Sequence, residues 1–217
     1  MINSRAIVAV AVSGFLLAGC ATSEPAPIAD PPSASATPPA VATQPTLGDL
    51  VLSADGLGPL VIGEAPPVTD PALDVLIFDE DYCADVDGAP SPGKWIPNYE
   101  PALSDFSSEP FSVYVPEDVL EQIAIDSGDI VTAEGIGLGS TRDEILAAYP
   151  DAVLTENMNT DLYVLTGDNG RLVFEVGAEG QTEYAVGEVV FLRVLNLTDE
   201  LFGWANTDAG FAYCVSA

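Results

Sequence analysis

A six-residue turn occurs twice in this chain, and it constrains the fold more than any other feature. Ser53-Ala54-Asp55-Gly56-Leu57-Gly58 returns as Thr132-Ala133-Glu134-Gly135-Ile136-Gly137, with every substitution conservative. Self-similarity at such a period points to two copies of one supersecondary unit. Each copy leads to a small turn and an expected short helix. In the first, Asp70 is placed to cap a helix with Pro71 at its first position, and Leu73, Leu76 and Ile77 follow at i, i+3 and i+4. In the second, Ser140 and Asp143 have the spacing of a capping box. Ile145, Leu146 and Tyr149 continue that helix and Pro150 stops it.

After each helix the period changes to two. Residues 162–166 and 171–176 flank Asp168-Asn169-Gly170, a strong hairpin signal. Residues 188–195 read as a third strand and 211–215, carrying Cys214, as a fourth. The first copy offers strands over 94–99, 111–115 and 119–125, after an acidic loop over 79–93 that is rich in Gly and Pro. The expected fold class is α+β. Two tandem modules, 47–131 and 132–217, would each pack a short helix or helices on an antiparallel sheet of three to four strands.

The amino terminus has a different character. Arg5 precedes an apolar stretch over residues 6–18, broken only by Ser13 and Gly14 and too short to span a bilayer comfortably. The stretch ends in Leu17-Ala18-Gly19-Cys20, which resembles the lipobox of bacterial lipoprotein precursors. That resemblance implies a signal peptide over 1–19, lipidation of Cys20 and a place on the extracytoplasmic face of the cell membrane. Two or more acyl chains make a stable anchor where one does not. Residues 20–46 are then the lipidated cysteine and a linker. Seven prolines and seven alanines in 21–46 leave nothing to build a core from. At about 3.1 Å per residue in extended polyproline form, such a spacer reaches on the order of 80 Å.

Charge narrows the partners. Five basic residues face 34 acidic ones, for a formal charge of −29, and loss of Arg5 with the signal peptide makes it −30. Nucleic acid is excluded as a partner, because phosphate binding needs clustered Lys and Arg. Anionic headgroups repel the chain within a screening length of about 8–10 Å. The chain contains no histidine. Ser-His-Asp triads, Cys-His pairs and HExxH zinc sites are therefore ruled out. Carboxylate catalysis and oxygen-ligated cation sites remain.

With Cys20 assigned to lipid, Cys83 and Cys214 are left in a compartment free of cytosolic reductant. One bridge between them would close a loop of about 130 residues, worth roughly 4–5 kcal/mol in the chain-entropy picture. The alternative is two buried thiols.

The run from Glu134 to Thr141, followed by Asp143-Glu144-Ile145 and Ala148-Tyr149-Pro150, resembles the helix start of BamE-like lipoproteins and of the β-lactamase inhibitory protein fold. Those modules pack helices on one face of a short antiparallel sheet, and the inhibitor joins two in tandem. The resemblance implies that architecture here. It does not imply β-lactamase inhibition. Cys83 and Cys214 fall in different copies rather than forming local bridges, and the first copy has extra residues 59–62.

Three constellations bear on chemistry. Asp79-Glu80-Asp81 with Asp85 and Asp87-Gly88 fails as an EF-hand, since Cys83 and Lys94 would occupy the positions that need carboxylates. Asp55 and Glu134 are repeat-related carboxylates, but a glycosidase pair also needs a cleft and a raised pKa. Trp95, Tyr99, Trp204 and Tyr82 lie in or near Pro- and Gly-rich segments, where aromatics serve either as contact anchors or as core. Together these features point to a non-catalytic module at the envelope, anchored in the membrane through lipid, with an envelope protein as partner and no cofactor or metal. The alternatives are a structural or assembly component of an envelope complex, and a carboxylate-dependent hydrolase of wall glycan.

Overall fold

Beyond the linker, apolar residues come in short runs, many β-branched or aromatic, separated by Gly, Asp and Asn, and such runs pair as strands. The computed structural model describes residues 43–84, 93–99, 109–180 and 184–206, all inside the compact unit Val41–Ala217. The chain enters through side-chain bonds. Gln44 Nε2 donates to the carbonyls of Asp74 (3.2 Å) and Asn98 (2.7 Å), and the Tyr99 hydroxyl donates to the Pro45 carbonyl (3.1 Å). A 3-10 turn, Leu47–Asp49, precedes a small antiparallel meander of β1 (Leu52–Ser53), β2 (Gly56–Leu57) and β3 (Leu60–Val61). A hairpin follows, β4 (Leu76–Asp79) with β5 (Lys94–Pro97).

The main sheet is built from β6 (Phe111–Tyr114), β7 (Gln122–Ile125), β8 (Val153–Glu156), β9 (Thr160–Thr166), β10 (Gly170–Gly177) and β11 (Val189–Asn196). Its order is β6-β7-β11-β10-β9-β8, antiparallel throughout. Helix α1 (Arg142–Ala148) lies between β7 and β8 in sequence. The larger core covers one face of the sheet. Phe111, Ile123, Leu192, Phe174 and Tyr163 from successive strands meet Leu52, Leu57 and Leu60 of the meander and Ile145 of α1. Residues of opposite parity, Leu162, Val164, Val173 and Leu195, form a smaller core on the other face with Leu201 against it.

The expected α+β class, with helices packed on sheets of three to four strands in each of two modules, is not the fold. The chain is mostly β, and α1 is the one α-helix among the described residues. The helix expected after Asp70 stops at a single turn. Leu73 and Asp74 N–H both donate to the Asp70 carbonyl. The Asp74 carboxylate then turns back to accept from the Thr69 N–H and hydroxyl and from the Asp70 N–H, which favours a turn over a helix. Val75-Leu76-Ile77-Phe78 goes on as an extended run, because β5 offers it a partner (Ile77↔Ile96, Phe78↔Trp95). Tertiary pairing thus overrides a local i, i+3, i+4 pattern. The second helix forms, one residue later than expected. Thr141 is its N-cap and Glu144 completes the capping box, while Ser140 Oγ accepts from Gly137 N–H in the preceding turn.

Strands on both sides of residue 131 share the main sheet, since β7 pairs with β11 (Leu192↔Ile125 to Leu195↔Gln122). The hairpin at Asp168-Asn169-Gly170 forms between β9 and β10. The strand expected over 211–215 lies outside the described residues.

The repeated hexapeptide makes two tight turns that meet. Leu52 N–H donates to the Val131 carbonyl (3.0 Å), and Leu52 bridges Thr132. Leu57 and its counterpart Ile136 are both buried in the larger core. Gly56 and Gly135 both have positive φ, 153° and 82°. They differ in surroundings: a Cβ on Gly56 would strike the Leu60 carbonyl oxygen, whereas Gly135 opens into free space. Gly135→Ala is therefore expected to cost only the backbone term, about 1–2 kcal/mol, and Gly56→Ala clearly more. Urea unfolding midpoints of the two variants check this ordering.

Candidate functional site

The four aromatics singled out from the sequence do not share one environment. Trp95 on β5 meets Phe78 edge-on at 5.4 Å, and Tyr99 meets Phe111 at 6.2 Å. Both rings pack against the larger core and support the fold. Trp204 sits in the 3-10 turn Trp204–Asn206, over β11, with Phe191 at 6.3 Å. Only Tyr82 is exposed among them. Cys83 is buried beside it. Cys20 and Cys214 lie outside the described residues, as do Asp85 and Asp87 of the acidic loop.

Tyr82 belongs to a polar cluster. Lys94 Nζ stands 3.4 Å from the Tyr82 hydroxyl and 3.4 Å from Glu109 Oε2, and 4.4 Å from the centre of the Tyr82 ring. Asp126, whose N–H donates to the Pro110 carbonyl, is the neighbouring carboxylate. Burial pushes its pKa up from 3.8 to about 6, and the negative charge of Glu109 adds to the shift. The folded protein thus holds this proton more tightly than the unfolded chain. The stabilisation from protonation is complete below about pH 4 and is lost as pH rises through about 6. Asp126→Asn is expected to remove that window. Thermal melts at half-unit pH steps should show the wild type losing ground to the variant between pH 4 and 6, then running parallel to it.

A second polar group lies on the smaller-core face, and sequence reasoning missed it. Glu175 on β10 (0 % exposed) and Arg193 on β11 (1 % exposed) form an ion pair at 3.7 Å. Thr160 Oγ1 donates to Glu175 Oε1 (2.8 Å). The backbone N–H groups of Trp204 and Ala205 donate to the same carboxylate (2.8 and 2.9 Å). Arg193 donates to the Phe202 carbonyl (2.6 Å), and its guanidinium lies over the rings of Phe202 (5.1 Å) and Trp204 (4.7 Å). Burial lowers the Arg193 pKa to about 10, with Glu175 opposing the shift, so Arg193 remains a cation at neutral pH. Both carboxylate oxygens are committed to holding the strap over residues 201–206. The site clamps that strap. Its signal in the sequence was one charge of each sign inside two apolar runs, Val173-Phe174-Glu175-Val176 and Leu192-Arg193-Val194.

The repeat-related carboxylates are likewise engaged. Asp55 Oδ1 accepts from Asn169 N–H (2.6 Å), and Glu134 accepts from the Tyr149 hydroxyl. Burial, followed by that bond to Glu134, pushes the Tyr149 hydroxyl up to about 12. A small open recess beside α1 is lined by Thr141, Arg142, Asp143, Glu179, Val186 and Gly187, with Arg142 held by Asp161 at 2.8 Å.

What faces solvent is different in kind. β8 is the outermost strand next to β9, and all four of its residues are exposed, including Val153 (63 %) and Leu154 (48 %). Among the described residues nothing but β9 pairs with β8, and hydrophobic side chains on such an edge are suited to contact with another chain. No protein-family model, no curated protein and no solved structure matches this chain, so its reading rests on the geometry of its own residues.

Proposed function

We propose that this chain is a lipoprotein anchored on the extracytoplasmic face of the cell membrane through Cys20, where it acts as a non-catalytic protein-binding module. The anchor rests on Leu17-Ala18-Gly19-Cys20 and the apolar stretch before it, and the Pro- and Ala-rich linker supplies reach. The observation that carries the binding reading is the exposed apolar pair Val153 and Leu154 on the outermost strand of the main sheet. The engaged state of Glu175, Asp55 and Glu134 supports binding over carboxylate catalysis. A bridge between buried Cys83 and Cys214 is part of the same reading. A peptide map under non-reducing conditions should recover the two as one linked pair, and free thiols at both would remove the bridge.

The test is affinity purification of the full chain from detergent-solubilised membranes, with intact-mass analysis of the product. The expected result is a diacylglyceryl-modified Cys20 and one envelope protein in stoichiometric amount. An unmodified cysteine defeats the anchor, and a chain that purifies alone after chemical crosslinking defeats the binding role.

A further inference from the structure

Sheet edges are usually blunted by Lys, by Pro, by a bulge or by a covering segment, because their unpaired N–H and C=O groups accept another strand. Among the described residues β8 carries no Lys, no Pro, no bulge and no covering segment. Val153-Leu154-Thr155-Glu156 runs in unbroken antiparallel register with β9, from Val153↔Val164 to Glu156↔Asp161. No described residue other than those of β9 pairs with it. Its side chains alternate, with Val153 and Thr155 on one face and Leu154 and Glu156 on the other.

Charge says what can lie beside it. Every cation carboxyl-terminal to Arg5 is already held within the fold. Lys94 is held by Glu109 (3.4 Å), Arg142 by Asp161 (2.8 Å) and Arg193 by Glu175 (3.7 Å). Arg171 donates to the carbonyls of Asn196 and Asp199. The exposed acids at the edge, Asp151 before β8 and Glu156 within it, have no ion-pair partner among the described residues. An incoming strand therefore meets two apolar side chains flanked by carboxylates. A second copy would bring two chains of formal charge near −30 into contact along this edge, and like charges at that separation repel.

We infer that β8 is the docking edge of this protein. Its occupant is an extended segment of a partner protein that carries Lys or Arg at alternate positions, adding as a further strand beside β8. Main-chain bonds would supply the pairing. The partner's basic positions would lie on the face of Leu154 and Glu156 and its apolar ones on the face of Val153 and Thr155, so that an ion pair to Glu156 and contact with Val153 fix register. The inference rests on the binding-module reading and names its partner.

The experiment uses the detergent-solubilised full chain and two short synthetic peptides of equal charge. One alternates Lys and Val, and the other is the same sequence with every central backbone nitrogen methylated. Hydrogen exchange should show the Lys/Val peptide protecting residues 153–156, while the methylated peptide, which has no central N–H to donate, gives no protection there. Leu154→Lys keeps the pairing with β9, because its side chain is exposed, and is expected to weaken the Lys/Val peptide about tenfold or more. The inference is overturned by equal binding of the two peptides, by protection elsewhere on the fold, or by unchanged affinity in Leu154→Lys. Protection of β8 that grows with protein concentration without peptide would assign the edge to a second copy and overturn the basic partner. An envelope protein that co-purifies equally with wild type and Leu154→Lys defeats the β8 assignment alone. Recovery of no partner by either chain defeats the binding-module reading beneath it.

Discussion

Replacing Arg193 with Met is expected to destabilise the fold by about 3–5 kcal/mol, because it leaves the Glu175 carboxylate buried without its counter-charge. Met keeps most of the apolar stem against Phe202 and Trp204, so the loss reports charge more than packing. Glu175→Leu should be comparably costly for two reasons. It strands the Arg193 cation at 1 % exposure, and it removes the acceptor for Trp204 N–H, Ala205 N–H and Thr160 Oγ1. The informative outcome lies in the double variants. Glu175→Leu with Arg193→Met removes both charges but leaves the strap's N–H groups orphaned. Glu175→Gln with Arg193→Met keeps an amide oxygen for one of them and should recover most of the lost stability. A cycle of urea midpoints measures this, and a coupling near zero between positions 175 and 193 would show that the pair does not act as a unit.

Phe174→Ala is expected to cost about 3–5 kcal/mol by loss of a buried aromatic and the cavity it leaves. Phe174 occupies the middle of β10, opposite Leu192 on β11 and Tyr163 on β9, and it is fully buried. It also stacks on Tyr149 at 5.8 Å, the residue that ends α1. The substitution thus loosens the sheet and the attachment of the helix together. For a unit of this size each kcal/mol moves the melting temperature by about 2–4 °C, so a fall on the order of 10 °C is expected. Phe174→Leu, which refills most of the volume, should restore the larger part of it. Equal losses for Ala and Leu would place the effect outside packing.

The sequence was readable where its signals were local. The Asp168-Asn169-Gly170 turn and the Ser140 to Pro150 helix depend on residues a few positions apart, and both appear with boundaries shifted by a residue or two. The repeated Gly turns were legible for the same reason, although their contact through Leu52 and Thr132 was not. Asp70 to Ile77 misled because Leu73, Leu76 and Ile77 fit a helix period while Val75 to Phe78 also fits a strand. The partner that decides between them, β5, lies beyond a loop. β8 gave little signal, since four exposed residues show no burial pattern. Glu175 and Arg193 were hidden by the alternation rule itself. Polar residues at those positions normally face water, and among the described residues the strap over 201–206 turns that face into a second core. The proposed lipidation of Cys20 rests on a few adjacent residues, whereas the proposed docking edge rests on the whole arrangement of the sheet.

The way the chain enters its fold decides how it would respond to being pulled. Under the proposed anchor, force would arrive first at Gln44 and Pro45, which are held by side-chain bonds to Asp74, Asn98 and Tyr99. Bonds loaded singly fail one after another. The backbone contact of Leu52 with Val131 and the meander behind it share their load with the larger core, so they resist together. Modest tension would therefore peel away the segment before Leu47 and leave β8 in place, lengthening the proposed spacer by a few residues before the proposed docking edge is strained.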